Sequence, residues 1–292
     1  MLGIIVFAIA LVGSGIAAVW DLRTTEVPDI ISLLTAGSGI LVHLILTITT
    51  GELTYIVSSL VVGSLFFGLG WIFFLTGIWG GADAFVMGAV GFALPTVPQG
   101  FQPAFSAPWP FGFTLLINIF IVGAVYTMFF ALYKGLGSKK VMEEFFNDIK
   151  GYWKRMVLIS AFYVVLLTVS TIVTVGFSGI GTSTRYFLGT LPILLGFLAV
   201  YRFLKNVEKY GMTSRISVDD LEEGDVLAKP VELEDEVLDA DRIVGVTEDQ
   251  VSKIRDAVDE VTVKSGVMFV PSFPVAILLS VFLGDLIVLF FI

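Results

Sequence analysis

The chain has 292 residues, of which 56% are hydrophobic and only 15% are charged, and its net charge is −9. A soluble domain is about half apolar and a quarter charged, so this composition indicates a membrane protein. The absence of cysteine excludes disulfides, thiolate zinc sites and cysteine nucleophiles. The single histidine, His43, excludes a multi-histidine metal site, argues against a Ser-His triad and is interpreted as a packed helix residue. No basic surface for nucleic acid is evident in the sequence.

Long charge-free runs predict eight membrane-spanning helices. About 20 apolar residues cross a bilayer as a helix, and hydrocarbon offers no water to satisfy an open backbone. Prolines and glutamines between residues 95 and 110 divide the longest run into two helices. The first run is interpreted as a retained helix, because it lacks a basic n-region. The predicted spans are residues 2–20, 30–50, 54–77, 81–97, 110–133, 156–177, 185–204 and 271–291.

One polar segment, residues 206–268, predicts a small α+β domain. Short strands are expected at Ile216–Val218, Val226–Leu227 and Val261–Lys264, and a helix at Thr247–Val258 with Thr247 and Gln250 as a capping box. The predicted fold class is therefore an all-α polytopic membrane bundle with a small cytoplasmic α+β domain. The expected divisions are a membrane catalytic core (1–133), a basic cytoplasmic loop (134–155), two further spans (156–205), the soluble domain (206–268) and a final span (269–292).

Basic residues predict the orientation in the membrane. Of the 17 basic residues, all but Arg185 fall in connections that follow odd-numbered spans. Basic connections stay on the cytoplasmic side, so both termini are expected outside and residues 134–155 and 206–268 inside. Residues 98–109 and 178–185 are then expected outside.

Three carboxylates lie at or within apolar runs, where an ionisable group is costly and suggests function. Asp21 ends the first span and Asp83 begins the fourth, so the predicted orientation places both at the cytoplasmic face and at one depth. The third, Asp285, lies near the far end of the last span. Two carboxylates in a poorly solvated site share a proton, which is the working state of an aspartyl protease. Helix capping would explain Asp83 alone, but it explains Asp21 poorly, because Asp21 lies at a helix C-terminal end.

Two motifs resemble those of the type IV prepilin peptidase family. The stretch Asp21-Leu22-Arg23-Thr24-Thr25-Glu26-Val27-Pro28-Asp29 resembles its Asp-x-Arg-x-x-Glu-[Ile/Val]-x-[Asp/Asn] motif. Gly80-Gly81-Ala82-Asp83 is similar to its Gly-x-Gly-Asp motif, with Ala82 in place of the second glycine. The closest likeness is to archaeal preflagellin and prepilin peptidases. Lys264–Pro274 and Gly284-Asp285 resemble the C-terminal segment of those proteins, whereas residues 110–205 hardly resemble the family.

The resemblance implies that Asp21 and Asp83 are a catalytic dyad that uses no cofactor and no metal. The implied substrates are prepilin- or preflagellin-like proteins with basic leader peptides, cleaved at the cytoplasmic face of the cell membrane. The lipid bilayer is the other expected partner, and nucleic acid is not expected. The cysteine-rich zinc module of bacterial prepilin peptidases is absent, so N-methylation is not expected. Motif neighbours that could serve the site are Arg23, Glu26, Asp29, Gly80 and Gly81.

Two other functions remain open at the level of sequence. A proton- or ion-coupled transporter could use paired carboxylates, but it would favour deeper carboxylates and inverted repeats. A non-catalytic membrane scaffold could bind a partner through its soluble domain. Arg23 is explained about equally well as a positive-inside anchor.

Overall fold

Helices dominate the computed structural model, which describes residues 2–177, 180–233, 237–239 and 245–288. In these ranges the chain forms nine α-helices and five short strands. Six of the helices are long and apolar enough to cross a membrane, which makes this a multi-pass membrane protein. The helices are α1 (Leu2–Thr24), α2 (Asp29–Thr50), α3 (Thr54–Leu75), α4 (Gly81–Ala93), α5 (Phe111–Gly137), α6 (Lys139–Val175), α7 (Ile180–Asn206), α8 (Glu248–Ala257) and α9 (Ser272–Phe282).

The predicted helical membrane bundle is confirmed, but two of its eight helices are shorter than expected. With 13 and 11 residues, α4 and α9 are about 20 and 16 Å long, whereas the hydrocarbon core is about 30 Å thick. The first ends two residues before Pro95. The second ends before Gly284, whose φ of 91° is left-handed and stops the helix. Residues 289–291 of the predicted last span lie outside the described residues.

Residues 134–155 differ from the loop expected there, because they are almost entirely helical. The helix α5 runs to Gly137 and α6 begins at Lys139, with the Ser138 hydroxyl accepting a hydrogen bond from the Val141 amide at 3.3 Å. The segment contains no proline, and its lysines and glutamates are good helix formers, so the polar residues extend the neighbouring helices. Its cytoplasmic location remains a prediction.

The chain divides into two compact units. The first contains Met1–Phe129, Val218–Asp259 and Gly266–Ile292, and the second contains Phe130–Ser217 and Glu260–Ser265. Residues 206–268 contribute to both units, and their expected division as one domain remains a prediction.

In the first unit, α4 is enclosed by α1, α2 and α3 through small residues at the helix contacts. A Cβ atom at Gly39 on α2 would lie 2.5 Å from the Ala93 Cα, and one at Gly70 on α3 would lie 2.8 Å from the Ala84 Cα. Glycine thus lets the helix backbones approach closely, as is common in membrane bundles. The His43 Nε2 lies 3.1 Å from the Ala93 carbonyl oxygen, which agrees with its interpretation as a packed helix histidine.

The small α+β elements of residues 206–268 are confirmed. In the second unit, β1 (Thr213–Ser217) pairs antiparallel with β5 (Glu260–Lys264). The first unit holds β2 (Val226–Leu227) and an antiparallel pair of two-residue strands that sequence did not predict, β3 (Val231–Glu232) and β4 (Val237–Leu238). The predicted capping box is present on α8, where the Gln250 side chain accepts from the Thr247 amide at 3.1 Å and the Thr247 hydroxyl accepts from the Gln250 amide at 3.4 Å.

Candidate active site

Asp21 lies on the buried face of α1, close to the end of that helix. Its exposed fraction is only 5%, and it continues the stripe of buried small residues that includes Ala10, Ser14 and Ala17. Residues three or four positions apart share one helix face, so the apolar stripe directs this carboxylate into the helix bundle. Its Oδ2 accepts a hydrogen bond from the Val270 amide at 3.2 Å.

Asp83 lies in the first turn of α4 and is 8% exposed. Its Oδ2 accepts a hydrogen bond from the amide of Gly80, the N-cap residue, at 3.0 Å. The Asp83 carboxylate thus makes the half of a capping box that reaches back to the N-cap amide, and its charge is favourable at a helix N-terminus. Asp83 is therefore a capping residue at position N3 of α4 and not the N-cap itself, and this hydrogen bond holds its carboxylate at the helix start.

Asp21 is one of the charged groups that act electrostatically on Asp83. Both belong to the first unit, in which α1 and α4 are in contact. One carboxylate ends its helix and the other begins its helix, so antiparallel packing brings them to the same level. The structure thus brings together the helix ends that hold the two aspartates selected from the sequence.

The other motif residues are exposed or half-buried and do not belong to the buried pair. Arg23, Glu26 and Asp29 are exposed, and Asp29 begins α2, where a negative charge is favourable. Gly80 is exposed and Gly81 is half-buried. A Cβ atom at either glycine would meet only ordinary contacts, 3.5 Å from the Asp83 Oδ2 and 3.7 Å from the Phe74 ring. Only the position of Gly80 therefore borders the Asp83 carboxylate, and neither glycine is required by close packing.

The C-terminal segment before α9 contributes a contact that sequence reasoning did not assign. It places the Val270 amide on Asp21, and the neighbouring Phe269 ring packs against Gly123 of α5. A Cβ atom at Gly123 would lie 2.2 Å from that ring, so only glycine leaves room for it. The resemblance of Lys264–Pro274 to the family's C-terminal segment was the available signal for this contact.

An aromatic cluster borders the entry to α4. The Trp79 ring lies 4.9 Å from Phe269, 5.1 Å from Phe73 and 5.8 Å from Phe120, measured between ring centroids. Trp79 directly precedes Gly80, so the cluster forms an apolar wall next to Asp83. Tyr126 on α5 lies within electrostatic range of Asp21. Neither residue was selected from the sequence.

Asp285 has a separate set of partners. It is 1% exposed, and its Oδ2 accepts hydrogen bonds from the Trp109 indole at 2.8 Å and the Thr114 hydroxyl at 3.2 Å. Its Oδ1 accepts from the Ile287 amide at 2.9 Å. These contacts tie the end of the chain to the start of α5, which is a structural role.

Within the described ranges, no three His, Asp or Glu side chains form a group that could hold a metal ion.

Comparison with known proteins identifies relatives of the N-terminal helices. Residues 5–132 match the type IV leader peptidase family. A preflagellin peptidase from Methanococcus voltae is 31% identical over 148 residues, which are 48% of this chain and 63% of that protein. The match thus spans less than two thirds of that relative's length, and no solved structure matches the chain. Residues 5–132, which include both Asp21 and Asp83, are thus similar to the type IV leader peptidase family, in agreement with the resemblance of the two aspartate motifs.

Proposed function

We propose that this chain is an intramembrane aspartyl endopeptidase that removes basic leader peptides from prepilin- or preflagellin-like precursors. The observation that carries the proposal is the pair of buried carboxylates, Asp21 and Asp83. They lie within electrostatic range of each other inside the segment that matches the leader peptidase family. The helices that hold them are part of a membrane bundle, so we place the cleavage at the membrane, on its cytoplasmic face.

The chemistry follows from the pairing. Two buried carboxylates in close range repel when both are ionised, so the pair holds one proton between them. The ionised carboxylate takes a proton from a water molecule, whose oxygen attacks the carbonyl carbon of the scissile peptide bond. The protonated carboxylate gives its proton to the carbonyl oxygen, and a tetrahedral intermediate forms without a covalent acyl-enzyme. Collapse of the intermediate transfers a proton to the leaving amine and restores the shared-proton pair. No metal or cofactor takes part.

Two backbone amides support this arrangement. The Val270 amide holds Oδ2 of Asp21, and the Gly80 amide holds Oδ2 of Asp83. Each contact leaves the other oxygen of the carboxylate for the water or the substrate. A carboxylate fixed in this way keeps its orientation during the reaction, which favours the productive geometry.

The proposed substrate class rests on acidic residues near the aspartates and on the similarity to the Methanococcus voltae protein. The Methanococcus voltae relative is a preflagellin peptidase. Glu26 and Asp29 are exposed and acidic near the end of α1, so they can attract the basic part of a leader peptide. We place this face on the cytoplasmic side and both termini outside, because basic connections stay in the cytoplasm.

Co-expression with a prepilin-like precursor tests the proposal. The precursor is expected to migrate faster on a gel when this chain is present, and N-terminal sequencing of the product is expected to show loss of the basic leader. Activity is expected to persist in EDTA. An ion- or proton-coupled transporter and a non-catalytic scaffold would both leave the precursor at full length, so an unchanged precursor would contradict the peptidase.

A further inference from the structure

A charged groove lies in the second unit, between the polar first part of α6 and the polar end of α7. It encloses about 590 Å³, which is within the range of ligand sites in proteins. Four basic side chains and two carboxylates line it, so its charge is positive overall. The charged lining residues are Glu144, Asp148, Arg155, Arg202, Lys205 and Lys209.

One ion pair forms the floor of the groove. The Arg202 guanidinium binds both carboxylate oxygens of Asp148, with Nε 2.6 Å from Oδ2. The Asn206 amide donates to the same Oδ2 at 3.1 Å, and the Arg202 guanidinium lies 3.7 Å from the centre of the Tyr152 ring. These contacts fix Arg202 and occupy Asp148, so the floor is rigid and its two charges offset each other.

In the part of the chain that the structure describes, three further cations of the groove have no carboxylate that neutralises them. Arg155, Lys205 and Lys209 line the same groove, and among the described residues none of them forms a salt bridge with a carboxylate. Glu144 is the one lining carboxylate that the Arg202 pair does not occupy. Aromatic rings support two of these cations: Arg155 lies 4.9 Å from the Tyr152 ring centre, and Lys209 lies 5.1 Å from the Tyr210 ring centre. The groove thus presents three cations beside the Arg202 ion pair, and the single remaining carboxylate, Glu144, cannot neutralise all of them.

The groove stands at the level where the apolar stretches of α6 and α7 end. Arg155 directly precedes the charge-free residues 156–184, and Arg202 directly follows the charge-free residues 186–201. Trp153 and Tyr201, at the same ends, are 63% and 59% exposed. Exposed tryptophan and tyrosine at the end of an apolar stretch mark the membrane interface. The unbalanced cations therefore lie at headgroup depth.

We propose that this groove binds the phosphate of an anionic phospholipid headgroup. Arg155, Lys205 and Lys209 donate hydrogen bonds to the phosphate oxygens, and the acyl chains lie along the exposed apolar side chains of α6, such as Leu158 and Phe162. The depth of the groove selects a lipid over a soluble anion, because a lipid alone extends from the cation cluster into the apolar region. This site is independent of the proposed peptidase, and its test requires no peptide substrate.

The test uses the full-length protein, purified in detergent and supplied with phosphatidylglycerol, phosphatidylcholine or inorganic phosphate. Native mass spectrometry is expected to show phosphatidylglycerol retained in preference to phosphatidylcholine. The triple variant Arg155→Gln, Lys205→Gln and Lys209→Gln is expected to lose phosphatidylglycerol by more than tenfold, since each cation near a membrane surface contributes about fivefold. The single variant Lys205→Gln, expected to lose roughly fivefold, keeps the test decisive if the triple variant does not fold.

The matched control removes the same charge from the same face of the membrane. Lys139, Lys150 and Lys154 are exposed on α6 and do not line the groove, so their triple change to Gln is expected to retain phosphatidylglycerol within about twofold of the unmodified protein. Equal loss in both triple variants would overturn the site in favour of a general surface charge. Inorganic phosphate that displaces the lipid at millimolar concentration would overturn the assignment to a lipid.

Discussion

The amide of Val270 donates a hydrogen bond to the Asp21 carboxylate at 3.2 Å, across 249 positions of sequence. Asp21 lies on the first helix and Val270 precedes the last, so the contact closes the first unit around the aspartate pair. A carboxylate oxygen that accepts a backbone amide is both stabilised and oriented. Val270 is therefore a positioning residue for the proposed chemistry, acting through its backbone.

Val270→Pro tests this role, because proline removes the amide hydrogen. We expect kcat for leader cleavage to fall roughly tenfold or more, the effect of losing one hydrogen bond to a charged group. Val270→Ala keeps the amide but shortens a fully buried side chain, so it is expected to lower Tm and to leave kcat within about twofold. Equal kcat values in the two variants would show that the hydrogen bond does not matter.

Close packing of α3 on α4 gives a second prediction. A Cβ atom at Gly70 would lie 2.8 Å from the Ala84 Cα, next to Asp83, whereas one at Gly68 would meet nothing within 4 Å. Gly70→Ala must push α4 away, so we expect a lower Tm and a loss of cleavage of about tenfold from overpacking. Gly68→Ala, on the same helix, is expected to change both by little. Thermal unfolding in detergent gives the Tm of both variants, and the cleavage assay gives their activity. Similar results for the two variants would contradict the packing argument.

Asp285 is expected to contribute to stability and not to chemistry. Asn in its place would turn an NH₂ group toward a group that can only donate, either the Trp109 indole or the Ile287 amide. Leaving such buried groups unsatisfied costs about 1–3 kcal/mol each, so Asp285→Asn is expected to lower Tm clearly. The folded fraction is expected to keep its kcat. The control is Glu52→Gln, which removes the charge of an exposed carboxylate. If Asp285→Asn lowers kcat as much as an Asp21 variant does, Asp285 takes part in the reaction.

Some features of this protein are readable from sequence because they are local. The capping box of Thr247 and Gln250 depends on neighbours three positions apart, and apolar runs show helices directly. Buried positions three or four apart, up to Asp21, also follow from helical period. Such features need no knowledge of the tertiary fold.

Other features depend on contacts between distant residues. The Val270 amide and the Trp79 aromatic cluster meet the aspartates only through packing of α1, α4, α5 and the C-terminal segment. The lengths of α4 and α9 are set by a proline and by a left-handed glycine, and hydropathy continues past both. Residues 134–155 are almost entirely helical although their charge predicts a connection, because lysine and glutamate favour helix.

The orientation in the membrane gives a fourth prediction. The chain has no cysteine, so single cysteines can be introduced at exposed positions without background labelling. We expect Lys150→Cys and Ser252→Cys to resist an impermeant maleimide on intact cells, and Gln102→Cys to react, because basic connections stay inside. All three are expected to react after the cells are opened, which controls for accessibility. Reaction at 150 or 252 in intact cells, with none at 102, would invert the topology and place the aspartates at the outer face.

The last prediction concerns the aspartate pair. Asp21→Asn and Asp83→Asn keep the shape of each side chain but remove the base that activates water, so each is expected to lower leader cleavage by about a thousandfold. Residues that act as one unit lose most function when either is removed, and the double variant is therefore expected to be little worse than a single one. In Asp83→Asn the side-chain oxygen can still accept a hydrogen bond from the Gly80 amide, so helix capping survives and membrane insertion is expected to be unchanged.

The measurement for the aspartate variants is precursor conversion at equal amounts of membrane-inserted protein. Asp29→Asn, an exposed motif neighbour, is the control, and its effect is expected to appear in KM for basic leaders more than in kcat. An Asp83→Asn protein that cleaves near the original rate would remove the dyad, and additive losses in the double variant would separate the two aspartates into independent roles.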